Sequence, residues 1–599
     1  MKSAALSVLF VLIVFASAPA LAAPSYSVPE DYPTIQAAID ACPSSACFVN
    51  VDEGTYFENI NFNGKSIEIY SRYDADVTFI DGDLVGSVVT FDSGEGPDSV
   101  LDGFTLQNGS GNGFGTYYGG SVYCEGSSPT IIDCVLTECR NTSYGGGIAC
   151  IASSSPTITN CTISSNRGIG YHGGGIYCEG SSSPTITECV IGYNIVYGKG
   201  GGIYCEGSSP TVIDCDIIGN RAAIGLDSSG GGIYCESASP TISGCTITGN
   251  SATHGGGGIC CNASSSPSIT GCTIDGNAAA SHGGGIACFD HSSPEINDCS
   301  ISGNGGSVFV AEPSWGGGIY LGTGCDSSIT NCTIDGNMAA ASYGYGGAIA
   351  CGWSSPTIFA CSISGNSASV AGGLWAEVFS APEISYSFIQ NNTAAYDGGG
   401  VFVFDDSTAT LTNCFITGNT VTTGTAPGFG TGGGFACYQD STLNLTHCTV
   451  ADNATTDHGG GVYLQSSTAN IIDSILWGDS PDEIYPGAGV SATVTYSDVQ
   501  GGHSGTGNIN DDPLFGSGDY FLSASSPCID VGIDAGVYFD IELDTRPQGA
   551  GFDMGADEYV APSICGAIPV RGSPWSALLY LLPLIGVLLC RAHNRESPL

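Results

Sequence analysis

Pro240-Thr-Ile-Ser-Gly-Cys-Thr-Ile-Thr-Gly-Asn250 returns one step later as Pro267-Ser-Ile-Thr-Gly-Cys-Thr-Ile-Asp-Gly-Asn277. Pro156 to Asn166 and Pro356 to Asn366 carry the same phrase. Its last residue forms a column: Asn166, Asn194, Asn220, Asn250, Asn277, Asn304, Asn337, Asn366, Asn392, Asn419 and Asn453, mostly 26–30 residues apart. A fixed polar column at that period is the mark of a stacked solenoid. Asn tolerates left-handed backbone, and its amide can bond the next rung, so the column reads as a bend lined by an amide ladder.

Two runs make up each repeat. Gly173-Gly-Gly-Ile-Tyr-Cys178 and Thr157-Ile-Thr-Asn-Cys-Thr-Ile163 both alternate with period two and are rich in β-branched residues, so both read as short strands. The Ile of the first run belongs to a column of thirteen apolar residues from Val122 to Val462, which must face inward. The residue two further on shares that face and is mostly Cys. A lone rung has too little apolar surface to fold, whereas stacked rungs share one core. Thirteen or more rungs at about 4.8 Å give a rod of roughly 60 Å or longer. The Gly runs read as a second corner, where a Cβ would collide. From apolar start to Asn the spacing is 17 or 18 residues; from Asn to the next start it runs from 8 to 16. All length variation therefore sits at one corner, the usual place for a binding face.

These repeats resemble right-handed parallel β-helix proteins of the pectin-lyase-like class. The opening, Val28 to Asp40 and then Val49 to Glu58, is similar to the entry of that class, where an amphipathic helix plugs the coil. The Gly-Gly-Gly-Ile and Ile-Ser-Gly-Asn phrases also resemble polymorphic outer-membrane protein repeats, which are adhesin repeats. Asp512-Pro-Leu-Phe515, Ser526-Pro-Cys-Ile-Asp530 and Arg546 to Tyr559 resemble the closing segment of bacterial exported β-helix proteins. The resemblance implies an all-β, single-stranded right-handed parallel β-helix with an N-terminal capping helix. It leaves activity open, because the fold hosts lyases, hydrolases, esterases and binders.

Residues 1–23 read as a secretory signal peptide: Lys2, the apolar run Ala4 to Ala16, then Ala20-Leu-Ala22. Residues 24–100 read as cap and first rungs, 101–480 as β-helix repeats, 481–560 as the closing segment and 561–574 as a linker. In 575–599 the apolar run Trp575 to Cys590 precedes Arg591, His593 and Arg595. It resembles a C-terminal sorting tail; the alternatives are a membrane-anchor helix or a buried core helix. Signal and tail together imply a rod displayed outside the membrane.

The formal charge is −46, from 57 acidic and 11 basic residues, so the chain should repel nucleic acid and anionic lipid. Divalent cations such as calcium suit such a surface, though solubility alone explains it and no calcium nonapeptide is present. Among 28 cysteines, most fall in two columns where Leu, Ala, Val or Ser replace them, which marks them as compact core thiols. Cys42 and Cys47 are the better disulfide pair. No zinc ligand set, cofactor fingerprint or nucleophile elbow is present.

The candidate sites follow from the columns. Arg140, Arg167 and Arg221 each follow the Asn position, and Lys199, His172, Tyr144 and Tyr197 fall in the same corner. An enzyme reading, lyase or hydrolase, would place catalysis there, with cations meeting an acidic sugar; the bland reading is charge balance. Tyr177, Tyr204 and Tyr234 lead a column pointing away from the core, read either as a platform for sugar rings or as a packing ladder. His254 and His282 lie on adjacent rungs without further metal ligands. The expectation is an adhesin-like binder of a carbohydrate or cell-surface partner, without catalysis or a required cofactor. The alternatives are a polysaccharide-active enzyme and a purely structural rod.

Overall fold

The computed structural model describes residues 23–113, 116–223, 227–306, 313–339, 343–423, 430–487 and 490–561. The expected export signal, save its last residue, and the 575–599 tail lie outside them. Among the described residues no helix is long and apolar enough to cross a membrane.

The chain winds as a parallel β-solenoid of about 17 turns. Strands such as Ile176–Glu179 stack into a first, 16-stranded sheet. Strands such as Thr185–Thr187 form a second, 18-stranded sheet, and those such as Val190–Gly192 a third. Every strand of these sheets pairs in parallel with the same strand one turn away, as Ile176 with Ile203 and Cys178 with Cys205. The sequence predicts thirteen or more; the turns beyond thirteen lie at the ends, where strands of the first sheet such as Ile60–Asn61 and Ile484–Pro486 lack the Gly-Gly-Ile phrase.

Three sheets arise where the sequence suggested two runs. Thr157 to Ile163 is not one strand: Asn160 takes φ 51° and splits it. The same left-handed corner falls on Asp133, Asp214, Gly244 and Gly271, residues that reach this conformation at low cost. The second left-handed corner also differs from expectation. It falls on the residue before each ladder Asn (Ser165, Tyr193, Gly219, Gly249), while the Asn itself points inward.

Inward, the ladder is continuous. Asn277 Oδ1 accepts from Asn250 N at 2.9 Å and Asn250 Nδ2 at 3.0 Å. Its own Nδ2 donates to Ile247 O at 2.8 Å and to Asn304 Oδ1 at 3.0 Å. All eleven asparagines are 0 or 1 % exposed, so each amide must satisfy buried backbone as well as itself. The ladder ends on Asp479, whose Oδ1 accepts from Asn453 N at 2.7 Å and Nδ2 at 2.9 Å. A second, serine ladder climbs the next corner: Ser127 N donates to Ser154 Oγ, Ser154 N to Ser182 Oγ and Ser182 N to Ser208 Oγ. The recurrent Ser-Ser-Pro phrase carries it.

The Gly corner is as crowded as expected. A Cβ on Gly257 would lie 2.4 Å from Gly284 O. Cys42 and Cys47 are joined as a disulfide. The column cysteines are free buried thiols, packed as core residues.

One short helix, Ile35–Ala41, lies against Ser25–Val28, Ser45–Val51 and Ile60–Asn61. Thr34 caps it, its side chain accepting from Ala37 N, and Glu58 accepts from Ile35 N and Gln36 N. Ile35, Ala38 and Ile39 are buried. At the other end the chain from about residue 500 doubles back along the coil. Asn413 Nδ2 donates to Phe539 O, Ala556 N to Thr449 Oγ1, and Gly555 N to Asp473 O. Arg546 anchors this segment. Its side chain is fully buried, with Nη1 3.2 Å from Glu558 Oε2 and Nη2 donating to Gly555 O at 2.8 Å.

Candidate functional site

Between each ladder Asn and the next Gly run, the variable corner builds a fourth sheet that the sequence did not announce. It has a seven-stranded part running from Arg140–Tyr144 to Gly305–Gly306 and a five-stranded part from Ser314–Trp315 to Thr420–Val421. Some of its strands are two residues long, too short for period-two alternation to show.

This sheet separates residues that the sequence grouped. Arg140 and Arg167 are register neighbours and exposed. Ile195 stands between Arg167 and Arg221, which is also exposed. Arg167 Nη2 lies 3.4 Å from Tyr197 Oη. Lys199 sits apart from the arginines, toward the far side of the corner, bridged to His172. Its Nζ is 3.2 Å from Glu236 Oε2 and 4.6 Å from the Tyr234 ring centroid. The expected four-cation cluster is thus a row of arginines and a separate lysine already paired with a carboxylate. Burial, followed by the Lys199 charge, pushes His172 down to about 4, so it is neutral at pH 7.

The tyrosine column points away from the core yet is covered. Tyr177, Tyr204 and Tyr234 are each 2 % exposed, so their faces are closed to a sugar. The fourth sheet folds residues over them: His172 stacks on Tyr204 at 4.4 Å, and Tyr144 packs on Tyr177 at 4.7 Å. Tyr177, Tyr204 and Tyr234 themselves stack at 5.4 Å. Their hydroxyls reach a row of acids, Tyr177 Oη donating to Glu179 and Tyr204 Oη to Glu236. Burial, reinforced by these carboxylates, holds the Tyr177 and Tyr204 phenols well above their usual range.

Single alanines (Ala149, Ala350, Ala436) interrupt the ring column, and it breaks over two successive turns at one place. Tyr234 is followed in register by Cys260 and then Ala287 before Tyr320 resumes it. Beyond the break the rings run on: His282–Trp315 at 5.0 Å, Trp315–Tyr345 at 5.9 Å, Tyr345–Trp375 and Trp375–Phe402 at 4.6 Å, Phe402–Tyr438 at 5.2 Å and Tyr438–Tyr463 at 5.4 Å. At the break lies a cleft of about 240 Å³. Cys260 and Cys261 are both buried. The rings of His254 and His282 lie 5.1 Å apart, and among the described residues no group of three or more His, Cys, Asp or Glu side chains is placed to hold a metal.

The rings that are open to solvent at this corner are others. Tyr117 is 44 % and Tyr171 63 % exposed, and Tyr171 stacks on Tyr144 at 5.7 Å. Tyr343 and Tyr396 extend the exposed set along later turns. They fall in segments of variable length, outside any repeating column, which is why the sequence did not single them out.

The chain matches the family described as "Right handed beta helix region" over residues 87–236, 174–376 and 314–430. The chain belongs to this right-handed β-helix family. The β-helix is also similar to solved structures. One is the pectate lyase Pel9A, at 12 % identity, covering 88 % of this chain and 91 % of that one, with a TM-score of 0.24. Another is PfbA, a surface adhesin of Streptococcus pneumoniae, at 10 % identity, covering 76 % and 93 %, with a TM-score of 0.21. A third is the A-module of the Azotobacter vinelandii mannuronan C-5 epimerase AlgE6, at 12 % identity, covering 78 % and 94 %, with a TM-score of 0.19. Superpositions this loose carry no argument about activity. No curated protein sequence matches the chain.

Proposed function

We propose that this β-helix is exported, held at the cell surface by its C-terminal tail, and binds a carbohydrate or cell-surface partner along the fourth-sheet corner without catalysis. The observation that carries the reading is exposed Tyr171 on the same strand as exposed Arg167, beside exposed Arg140, with exposed Tyr117 bonded through its carbonyl to the edge of that sheet. Aromatic faces and arginine forks are the side chains that binding surfaces favour. The repeat likeness to surface adhesins supports display, and the helix Ile35–Ala41 serves as the N-terminal plug.

One observation favours a second reading. Arg140 and Arg167 stand side by side on adjacent turns, as a polysaccharide lyase or hydrolase would need for an acidic sugar. In that reading His172, neutral at pH 7, is the available base. Calcium would be recruited with the substrate.

The test is a panel of neutral and acidic polysaccharides, with and without calcium, scored for retention of the protein and for new chain ends. Retention without new ends, lost in Tyr171→Ala, is the expected result. Cleavage abolished in Arg167→Ala would replace binding with catalysis, and a chain that neither binds nor cleaves would be left as a structural rod.

A further inference from the structure

The break in the ring column makes a site that the row of exposed tyrosines does not. On most turns from Tyr177 to Tyr463 the place next to the core Cys column holds a ring. At Cys260 and Ala287 two successive turns leave that place empty of one. Phe289, on the following outward position, turns its ring toward His254 at 5.6 Å and toward Tyr320 at 5.4 Å. The result is a cleft lined by Phe289, with the covered Tyr234 and Cys260 beneath it. Its volume of about 240 Å³ lies in a hollow open to solvent, so a ring seated there stays partly hydrated.

Charge decides which ring. Lys199 lines the cleft, but its ammonium is bound to Glu236 at 3.2 Å. The remaining charged side chains of the lining are Asp227 and Asp290, both exposed, and among the described residues neither is ion-paired. His254 is held neutral by burial, which lowers its pKa. An anionic ligand would meet two carboxylates and a neutralised lysine. A cationic one would gain both carboxylates and the Phe289 ring, the combination that selects ammonium groups.

We infer that this cleft binds one protonated amino-sugar ring, its apolar face toward Phe289 and its ammonium toward Asp227 and Asp290. The inference rests on the reading of this corner as a binding face, and it assigns the corner a cationic ligand where the arginine row suggests an anionic one. The thiol of Cys260 takes no chemical part; burial pushes it far above its usual range.

The experiment titrates the full chain with glucosamine, N-acetylglucosamine, glucuronate and tyramine at low ionic strength, followed by ligand-observed NMR. Glucosamine binds, N-acetylglucosamine binds about 5-fold more weakly or worse for want of the charge, and glucuronate does not bind. Cys260→Tyr fills the break and weakens glucosamine binding about 10-fold or more, whereas Cys260→Ser leaves it within about 2-fold. Asp290→Asn, a surface change that leaves the core alone, weakens it about 3- to 10-fold. Undiminished binding by Cys260→Tyr or by Asp290→Asn overturns the inference, as does preference for glucuronate. Tyramine binding without glucosamine binding overturns the sugar assignment. If the polysaccharide panel retains the rod while glucosamine fails, the cleft inference falls and the broader reading stands.

Discussion

At the scale of single residues, the amide ladder concentrates energy in a few side chains. Removing the Asn277 side chain leaves Asn250 N and Ile247 O buried without their partners. Each orphaned group costs about 1–3 kcal/mol, so Asn277→Ala should destabilise by about 2–5 kcal/mol, read by denaturant titration. Asp479, the ladder's last member, has the opposite problem. Burial and the neighbouring Glu483 push its carboxyl well up, and burial pushes Glu483 up to about 7. The folded state keeps protons that the unfolded chain releases near pH 4. Stability from this pair is therefore full below about pH 4 and is lost as pH rises toward 7. Asp479→Asn supplies the same acceptor without needing a proton. It should stabilise the protein at pH 8 by about 1–3 kcal/mol and flatten its stability between pH 4 and 7. A variant with the wild-type slope would show that Asp479 does not titrate in that window.

At the scale of the structural element, the two glycine populations differ. Gly257→Ala would put a methyl 2.4 Å from Gly284 O and should cost about 3 kcal/mol or more; Gly276→Ala has open space and only φ +61° to bear, about 1 kcal/mol. Paired thermal midpoints check the contrast. Much of this level was legible in the sequence. The apolar and Cys columns mark inward faces because burial allows few substitutes, and the Asn column marks a repeating bond. The fold of Thr157–Ile163 into two strands was hidden because Asn160 fits an alternating pattern as well as a corner. The covering of Tyr177, Tyr204 and Tyr234 was hidden for a different reason: period two tells which side of a strand a ring leaves, not what lies beyond it. The residues beyond belong to short strands at the corner whose length varies, where no column forms.

At the scale of the whole molecule, each turn touches mainly its neighbours, so stability is local and opening starts at ends. The C-terminal end is held by the returning segment and by Arg546. Arg546→Ala leaves Glu558 buried without its cation, a loss of about 3–5 kcal/mol. Hydrogen exchange should speed up across residues 413–475 while residues 176–260 stay protected; equal acceleration along the rod would contradict a local latch. The same end carries buried Asp473, Asp540 and Asp557, pushed by burial up to about 7, and Asp498 and Asp553, up to about 6. Buried His447, pushed down to about 3, has the opposite pH dependence. The carboxyls outnumber it, so the C-terminal turns should open more readily at pH 8 than at pH 5 once intrinsic exchange is corrected.

The interrupted ring column gives the rod an optical polarity. Tyrosines packed about 5 Å apart pass excitation to one another by dipole coupling, and tryptophan, absorbing at lower energy, collects it. Tyr177, Tyr204 and Tyr234 lie on one side of the break, while Trp315 and Trp375 lie on the other. Light absorbed by the first group must cross the cleft to reach the indoles. Emission from these three tyrosines should therefore be quenched less than that of tyrosines packed directly on an indole, such as Tyr345.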